Sequence, residues 1–474
     1  MMVVSARPTA WANSVLHTVK GFEPTLLPIL SGAIPAGLRG SLYRNGPGRL
    51  ERGGLRVGHW FDGDGAILGV HFTDAGATGA YRYVQSREFQ EEEKTGRFMY
   101  GGYGMLPPGG LVQRFTKAVK NAGNTSVLAF PDRLLALWEG GHPHALDLET
   151  LETRGLDDLE GLPALLPFSA HPKRDSKTGE VYNFGVSFGK SAILNLYCVD
   201  ANGKLRQRKS HPIGKLPLVH DFVMAGQYLL FFISPVRLNP LPLLLRTKSF
   251  SDAFAWKPEE GTQVLVFDRS SLELVSQGKT DPWYQWHFGN GCVDRDGNVV
   301  VDVIRYENFN TNQFLKEVAT GNAKTKTSSS LWQIRLNPKS GQVIEMSRLL
   351  DRDCEFPIVK QVDVGQDWRY TYLSVHRAKD SSPGVFGAIA RFDQQTGELL
   401  QADFGEEGYP MEPIYAPDAY NSDQGWIVTV VYDGKTDQSE VWIFDSDRLN
   451  DSPVCRLGLP EVIPIGFHGT WKPA

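Results

Sequence analysis

The chain is poor in cysteine and in long apolar runs, and each shortage removes a class of protein. Its four cysteines, Cys198, Cys292, Cys354 and Cys455, are far apart with no paired spacing. Neither a disulfide framework nor a cysteine zinc site follows, and a reducing cytoplasm is the expected compartment. No apolar run reaches bilayer-spanning length; the stretch from Tyr228 to Ile233 has the length of a buried strand. Residues Met1 to Ala10 lack the apolar core of a signal peptide. Charge is balanced too: 49 Lys and Arg against 54 Asp and Glu give a net −5, with the signs interspersed. That argues against a nucleic-acid partner. No Pro/Ser-rich linker divides the 474 residues, no dinucleotide fingerprint is present, and no obligate protein partner is evident.

What the chain has in quantity is turn chemistry, with 49 glycines and 29 prolines. One pattern recurs: an alternating apolar strand, an Asp or Asn, a short polar turn and another strand. It occurs at Val70–Asp74, Ala145–Asp147, Cys198–Asp200, Val266–Asp268, Arg335–Asn337, Arg391–Asp393 and Ile443–Asp445. Asp and Asn start such turns by bonding their own backbone. The marks lie roughly fifty to seventy residues apart, somewhat longer than a typical propeller blade. They predict an all-β, seven-bladed β-propeller over residues 34–474, with an N-terminal extension over 1–33. In such a fold, inner strands from distant parts of the chain meet on one axis.

Four histidines in short apolar or aromatic settings are candidates for that axis: His171, His220, His287 and His468. Neutral imidazole is a common metal ligand because it brings no charge into a dry site. Glu139, Glu355 and Glu412 occupy equally apolar settings. A carboxylate accepting the far N–H of a ligating histidine fixes its tautomer and raises its basicity. The chain has eleven histidines, and a lone one in an apolar stretch is ordinarily a core residue, so spacing alone does not define a metal set.

The segments Ser41–Gly48 (SLYRNGPG), Trp60–Gly65 (WFDGDG), Asn124-Thr125 and Arg133–Gly141 (RLLALWEGG) resemble the signature segments of the carotenoid cleavage oxygenases. The resemblance runs from about Ile34 to Trp471. It implies a propeller capped by helices and loops over the active-site face. It further implies Fe(II) on the axis, held by His171, His220, His287 and His468, with Glu139, Glu355 and Glu412 behind them. Thr125 falls at the family position near the open coordination site, where O2 is the co-substrate. The likeness is strongest to the retinal-forming cyanobacterial branch, which implies cleavage of an apocarotenoid polyene at its 15,15′ bond. Eccentric cleavage, cleavage of a full-length carotenoid and stilbene cleavage are the alternatives. Stilbene cleavers generally carry a lysine where this chain has Trp138, which weighs against a phenolic substrate. His142, His144, His376 and His59 lie outside the matched ligand set.

Phe61, Trp138, Trp286 and Phe356 are candidate tunnel walls, since aromatic rings offer a polyene broad apolar contact. Leu238–Leu245, with Leu243, Leu244 and Leu245 at its end, is too short to span a bilayer but long enough to dip into a leaflet. Leu111–Lys120 has apolar residues at helical spacing beside basic ones, so peripheral membrane contact is expected. Two rivals come from other classes. Gly185-Val-Ser-Phe-Gly189 fits a serine nucleophile elbow, but that elbow needs a following helix and the next residues read as a strand. A non-catalytic propeller that binds a partner on its face is the other.

Overall fold

The structure is a computed structural model describing residues 10–189, 191–378, 380 and 383–474. It is all-β and propeller-like, built from antiparallel sets of strands whose core lies between the sheets. Position within a set explains each strand's composition. Middle strands such as Leu134–Leu137 and Tyr228–Ile233 are apolar on both faces because a neighbouring sheet covers each face. Outer strands such as Leu205–Gly214 and Leu274–Thr280 are largely exposed and carry the polar residues.

The seven turn marks occupy one structural position. Each follows the third strand of a four-strand run, counted outward from the axis, and leads into the fourth. In six of them the Asp or Asn side-chain oxygen accepts the N–H two residues on, at Asp147, Asp200, Asp268, Asn337, Asp393 and Asp445. In the remaining mark Thr73 does so instead of Asp74, its hydroxyl accepting from Ala75 N–H at 3.2 Å.

Hydrogen bonding nonetheless does not divide the strands into seven separate sheets, as the repeat predicts. Among the described residues there are six sheets of four or more strands and two two-stranded ribbons. One sheet has eight strands because Val223–Ala225 and Phe288–Val293 join through a single parallel pair, Ala225 with Gly291. Two innermost strands thus touch edge to edge near the axis.

The ring closes by pairing the chain's ends. Gly469–Pro473 lies antiparallel to Gly40–Arg49. Phe22–Leu26 and Ile29–Gly32, in the expected extension, add outer strands to two different sheets, pairing with Gly76–Tyr83 and Cys455–Gly458. Residues 1–9 lie outside the described residues.

Short helices interrupt the strands at Trp60–Asp62, Arg87–Thr95, Leu111–Thr116, Pro240–Leu244 and Asn310–Val318. A buried ion cluster ties the helix Arg87–Thr95 to the strands: Lys120 pairs with Asp64 and Glu92, and Arg52 reaches Asp64 at 2.8 Å. All four cysteines are buried and free. Among the described residues, no helix is long and apolar enough to cross a membrane.

Candidate metal centre and tunnel

The four histidines meet because each sits at the start of an innermost strand. His171 precedes Lys173–Arg174, His220 precedes Val223–Ala225, His287 precedes Phe288–Val293, and His468 precedes Gly469–Pro473. Thr125, Glu355 and Glu412 begin the innermost strands of the other sets. Close backbone approach brings His468 in: a Cβ at Gly46 would lie 2.4 Å from Gly466 Cα, so the segment leading to His468 needs glycine there.

The imidazole rings form a tight cluster with centroid separations of 4.4 Å (His171–His220), 4.7 Å (His171–His468) and 4.7 Å (His287–His468). All four are buried. Three have a carboxylate at Nδ1: Glu139 lies against His220, Glu355 Oε2 is 2.5 Å from His287, and Glu412 Oε1 is 2.8 Å from His468. A carboxylate at Nδ1 accepts the N–H there, holds the proton on that nitrogen and leaves Nε2 as a lone-pair donor.

The donor set fits a cation. His287 Nε2 is buried with no hydrogen-bond partner, and the Nε2 atoms of His171 and His220 stand 3.0 Å apart. The ligand nitrogens of His171, His287 and His468 lie within 4.8 Å of one another. Burial, and then the neighbouring imidazoles, hold His171 and His287 well below the usual histidine range. His220 moves the other way: burial opposes its charge, but Glu139 and then Asp221 raise it. Glu355 is pushed up to about 7 by burial, against donated bonds from Phe356 N–H and Tyr306 OH. Four imidazoles, three of them with a carboxylate at Nδ1, are the donors a borderline divalent metal takes.

Two cavities meet beside this cluster, and both are lined by Phe61, Thr125 and His220. One, of about 310 Å³, runs past Trp138, Tyr103, Phe184, Leu218 and Phe250. The other, of about 100 Å³, runs past Trp286, Phe314, Phe356, Phe386 and Phe467. All four sequence-chosen aromatics therefore line the space. Phe61 lies parallel to the His220 ring at 6.5 Å, and Trp286 meets it edge-on at 4.8 Å. Phe356 stacks on His287 at 5.4 Å and holds a left-handed backbone, with φ of 52°.

The excluded histidines stay out of the cluster. His142 Nε2 bonds Pro163 O, and His59 Nδ1 accepts Phe61 N–H while its Nε2 faces Asn312 O. His144 is buried and its pKa falls to about 4. His376 lines the smaller cavity. Ser187 lies in Val181–Phe188, whose neighbour is the antiparallel strand Ala192–Val199 and not a helix, so no nucleophile elbow forms. Of the membrane candidates, Leu244 and Leu245 are exposed, but Leu243 is half-buried because the short helix Pro240–Leu244 turns it inward; Leu241 takes its place outside. The other segment is helical only over Leu111–Thr116, with Leu111, Val112 and Phe115 exposed.

Sequence reasoning missed several supports. Arg44, fully buried, donates to the carbonyls of Glu412 and Phe467, fixing the backbone at two site positions. Asp221 takes Lys173 at 2.8 Å and Phe288 N–H at 3.0 Å, tying three histidine-bearing segments together. Their signal was adjacency: Arg44 lies inside the SLYRNGPG segment and Asp221 follows His220.

Comparison with known proteins agrees with this geometry. Residues 17–473 match the family model described as retinal pigment epithelial membrane protein. The apocarotenoid-15,15′-oxygenase of Synechocystis is 31% identical over 93% of this chain and 92% of its own. The resveratrol cleavage oxygenase 1 of Aspergillus fumigatus is 27% identical, covering 93% and 91% of the two chains. A solved variant of the Synechocystis apocarotenoid oxygenase superposes with a TM-score of 0.90 at 29% identity, covering 98% of this chain and 99% of that one. A cobalt-substituted form of the same oxygenase has also been solved and superposes at 0.88. The variant superposing at 0.90 is substituted at a threonine, and others are substituted at a tryptophan thirteen positions on and at the adjoining glutamate, the spacing of Thr125, Trp138 and Glu139 here. The chain belongs to the retinal pigment epithelial membrane protein family of carotenoid oxygenases.

Proposed function

We propose that this chain is a non-haem Fe(II) dioxygenase that splits one C=C bond of an apocarotenoid, using O2, into retinal and a shorter aldehyde by cleavage at the 15,15′ position. The observation that carries the reading is the meeting of two apolar-walled cavities at Phe61, Thr125 and His220, beside the histidine cluster. A rod-like polyene would extend one half into each cavity, with its middle at the four imidazoles. Bound Fe(II) would supply the redox partner that lets dioxygen react with an alkene, and both oxygen atoms end in the two carbonyls, so no external reductant is needed.

The side chains have separable tasks. Glu139, Glu355 and Glu412 hold protons on Nδ1 and leave the Nε2 atoms free to ligate. Phe61 and Trp286 keep water off one side of His220 and give the polyene flat contact. Thr125, at the junction, narrows the space where dioxygen would sit. We read the platform as seven-bladed, counting the eight-stranded sheet as two blades, because seven innermost strands each bring one site residue to the axis. Leu241, Leu244, Leu245, Leu111, Val112 and Phe115 are proposed to rest on a membrane surface from which the substrate enters, with the protein otherwise cytoplasmic.

Relatives are named for resveratrol and isoeugenol as well as for carotenoids. Trp138 favours the polyene, since it puts an indole face in the larger cavity. An indole offers no acceptor for a phenol O–H, and a hydroxyl buried there without a partner is left unsatisfied. The test is incubation of the iron-loaded protein with apocarotenals, full-length carotenoids and resveratrol, identifying every aldehyde formed. Retinal from apocarotenals, with little turnover of resveratrol, is expected. Efficient stilbene cleavage with no aldehyde from apocarotenals would overturn the substrate while leaving the metal centre standing.

A further inference from the structure

The smaller cavity has two unlike walls. One is apolar, formed by Trp60, Phe61, Phe314, Val385, Ile465 and Phe467. The other is polar, and most of its groups are already engaged. Tyr306 OH donates to Glu355 Oε1 at 3.0 Å, Thr311 Oγ1 accepts from Trp286 Nε1 at 3.0 Å, and Ser329 Oγ donates to Cys354 O at 2.7 Å. Asp353 Oδ1 accepts Ser329 N–H at 2.8 Å.

Among the described residues, two side chains on that wall have no hydrogen-bond partner. Ser374 is 1% exposed, and its Oγ is buried without a hydrogen-bond partner. His376 lies two residues on, its ring against Phe386, and its nearest carboxylate, Asp380, stands 3.9 Å from Nδ1, beyond hydrogen-bond reach. A buried hydroxyl left unpaired is destabilising, so such groups in native proteins call for an explanation such as a ligand. Both residues line the cavity, and Ser374 is the register neighbour of Glu355 on the adjoining strand.

We propose that Ser374 and His376 form an end-site that hydrogen-bonds the terminal oxygen of the polyene, a hydroxyl or an aldehyde carbonyl, within the smaller cavity. The proposal rests on the polyene reading above and adds to it the chemistry of one terminus and the arm that takes it. The ligand group is uncharged. No Lys or Arg lines this cavity among the described residues, while Asp353 and Glu355 do, so a carboxylate terminus would meet like charge. Ser374 can donate or accept, and a neutral imidazole can do either by choice of tautomer, so one pair serves both an alcohol and an aldehyde. Because a site built to bond an oxygen discriminates against the analogue lacking it, the pair would also set which way round the substrate lies.

The test uses the iron-loaded full chain and two polyenes of matched length, one ending in oxygen and one with that oxygen replaced by methyl. KM and kcat are measured for each with the wild type, Ser374→Ala and His376→Gln, with iron content as a control on the centre. The expected result is that the wild type prefers the oxygen-ended polyene, and that either substitution lowers that preference about tenfold, chiefly through KM. Cleavage of both polyenes with a preference that neither substitution changes would overturn the end-site and leave the polyene reading intact. Failure of the wild type to cleave either polyene would overturn the polyene reading, and the end-site with it.

Discussion

Replacing Glu412 by Gln isolates what a carboxylate behind a histidine contributes. In the structure its two oxygens have different duties: Oε1 faces His468 Nδ1 at 2.8 Å and Oε2 accepts Gly469 N–H at 2.8 Å. The side chain is buried, with 6% of its surface exposed, so water cannot replace either bond. A glutamine keeps the size but offers one oxygen; its amide nitrogen would then face a second N–H. One buried donor is left unpaired, at a cost of about 1–3 kcal/mol. Since about 1.4 kcal/mol is tenfold in affinity, the loss corresponds to roughly ten- to a hundredfold in metal binding, the range ordinarily found for partners of ligating histidines. The assay is competition for metal against a chelator of known affinity, with circular dichroism to confirm the fold. An affinity within twofold of wild type would refute the reasoning, because the carboxylate would then be dispensable to His468.

Changing Leu241, Leu244 and Leu245 to Asp should reduce liposome binding and turnover of membrane-delivered substrate, while turnover of detergent-dispersed substrate falls less. Equal losses in both assays would point to the fold instead. Asp302 supplies a pH dependence away from the metal. Burial pushes its pKa up to about 7, partly offset by hydrogen bonds from Gln333, Gln394 and Thr371. A carboxyl raised in the folded state binds more protons folded than unfolded. Its contribution is therefore full below about pH 4 and lost as pH rises to about 7. The shift is worth on the order of 4 kcal/mol. Asp302→Asn should melt increasingly above the wild type as pH rises through that window, and a pH-independent difference in Tm would contradict this.

How much of this was legible in the sequence follows from how local each signal is. The turn-starting side chains, Asp or Asn in six marks and Thr73 in the other, act on the backbone two positions away, so all seven marks fall at equivalent turns. The histidines and glutamates are carried by short segments that keep their meaning wherever they occur, and the pairing of Glu355 with His287 and Glu412 with His468 follows from strand placement around the axis. What the sequence hid was set by distant contacts. The single Ala225–Gly291 pair that fuses two sheets joins segments with no special composition. Leu243 is turned inward by a helix of five residues, too short for periodicity to reveal. Ser374 and Tyr306 look like ordinary strand residues until strands from different parts of the chain bring them to one wall.

Iron content across a set of single variants tests the central claim most directly. The wild type should bind one iron per chain, as should His142→Ala and His144→Ala, whose rings lie outside the cluster. His171→Ala, His220→Ala, His287→Ala and His468→Ala should each lose most of it, because each removes one of the nitrogens that converge on the axis. Loss of iron from His142→Ala or His144→Ala, with iron retained by any of the four, would contradict the account.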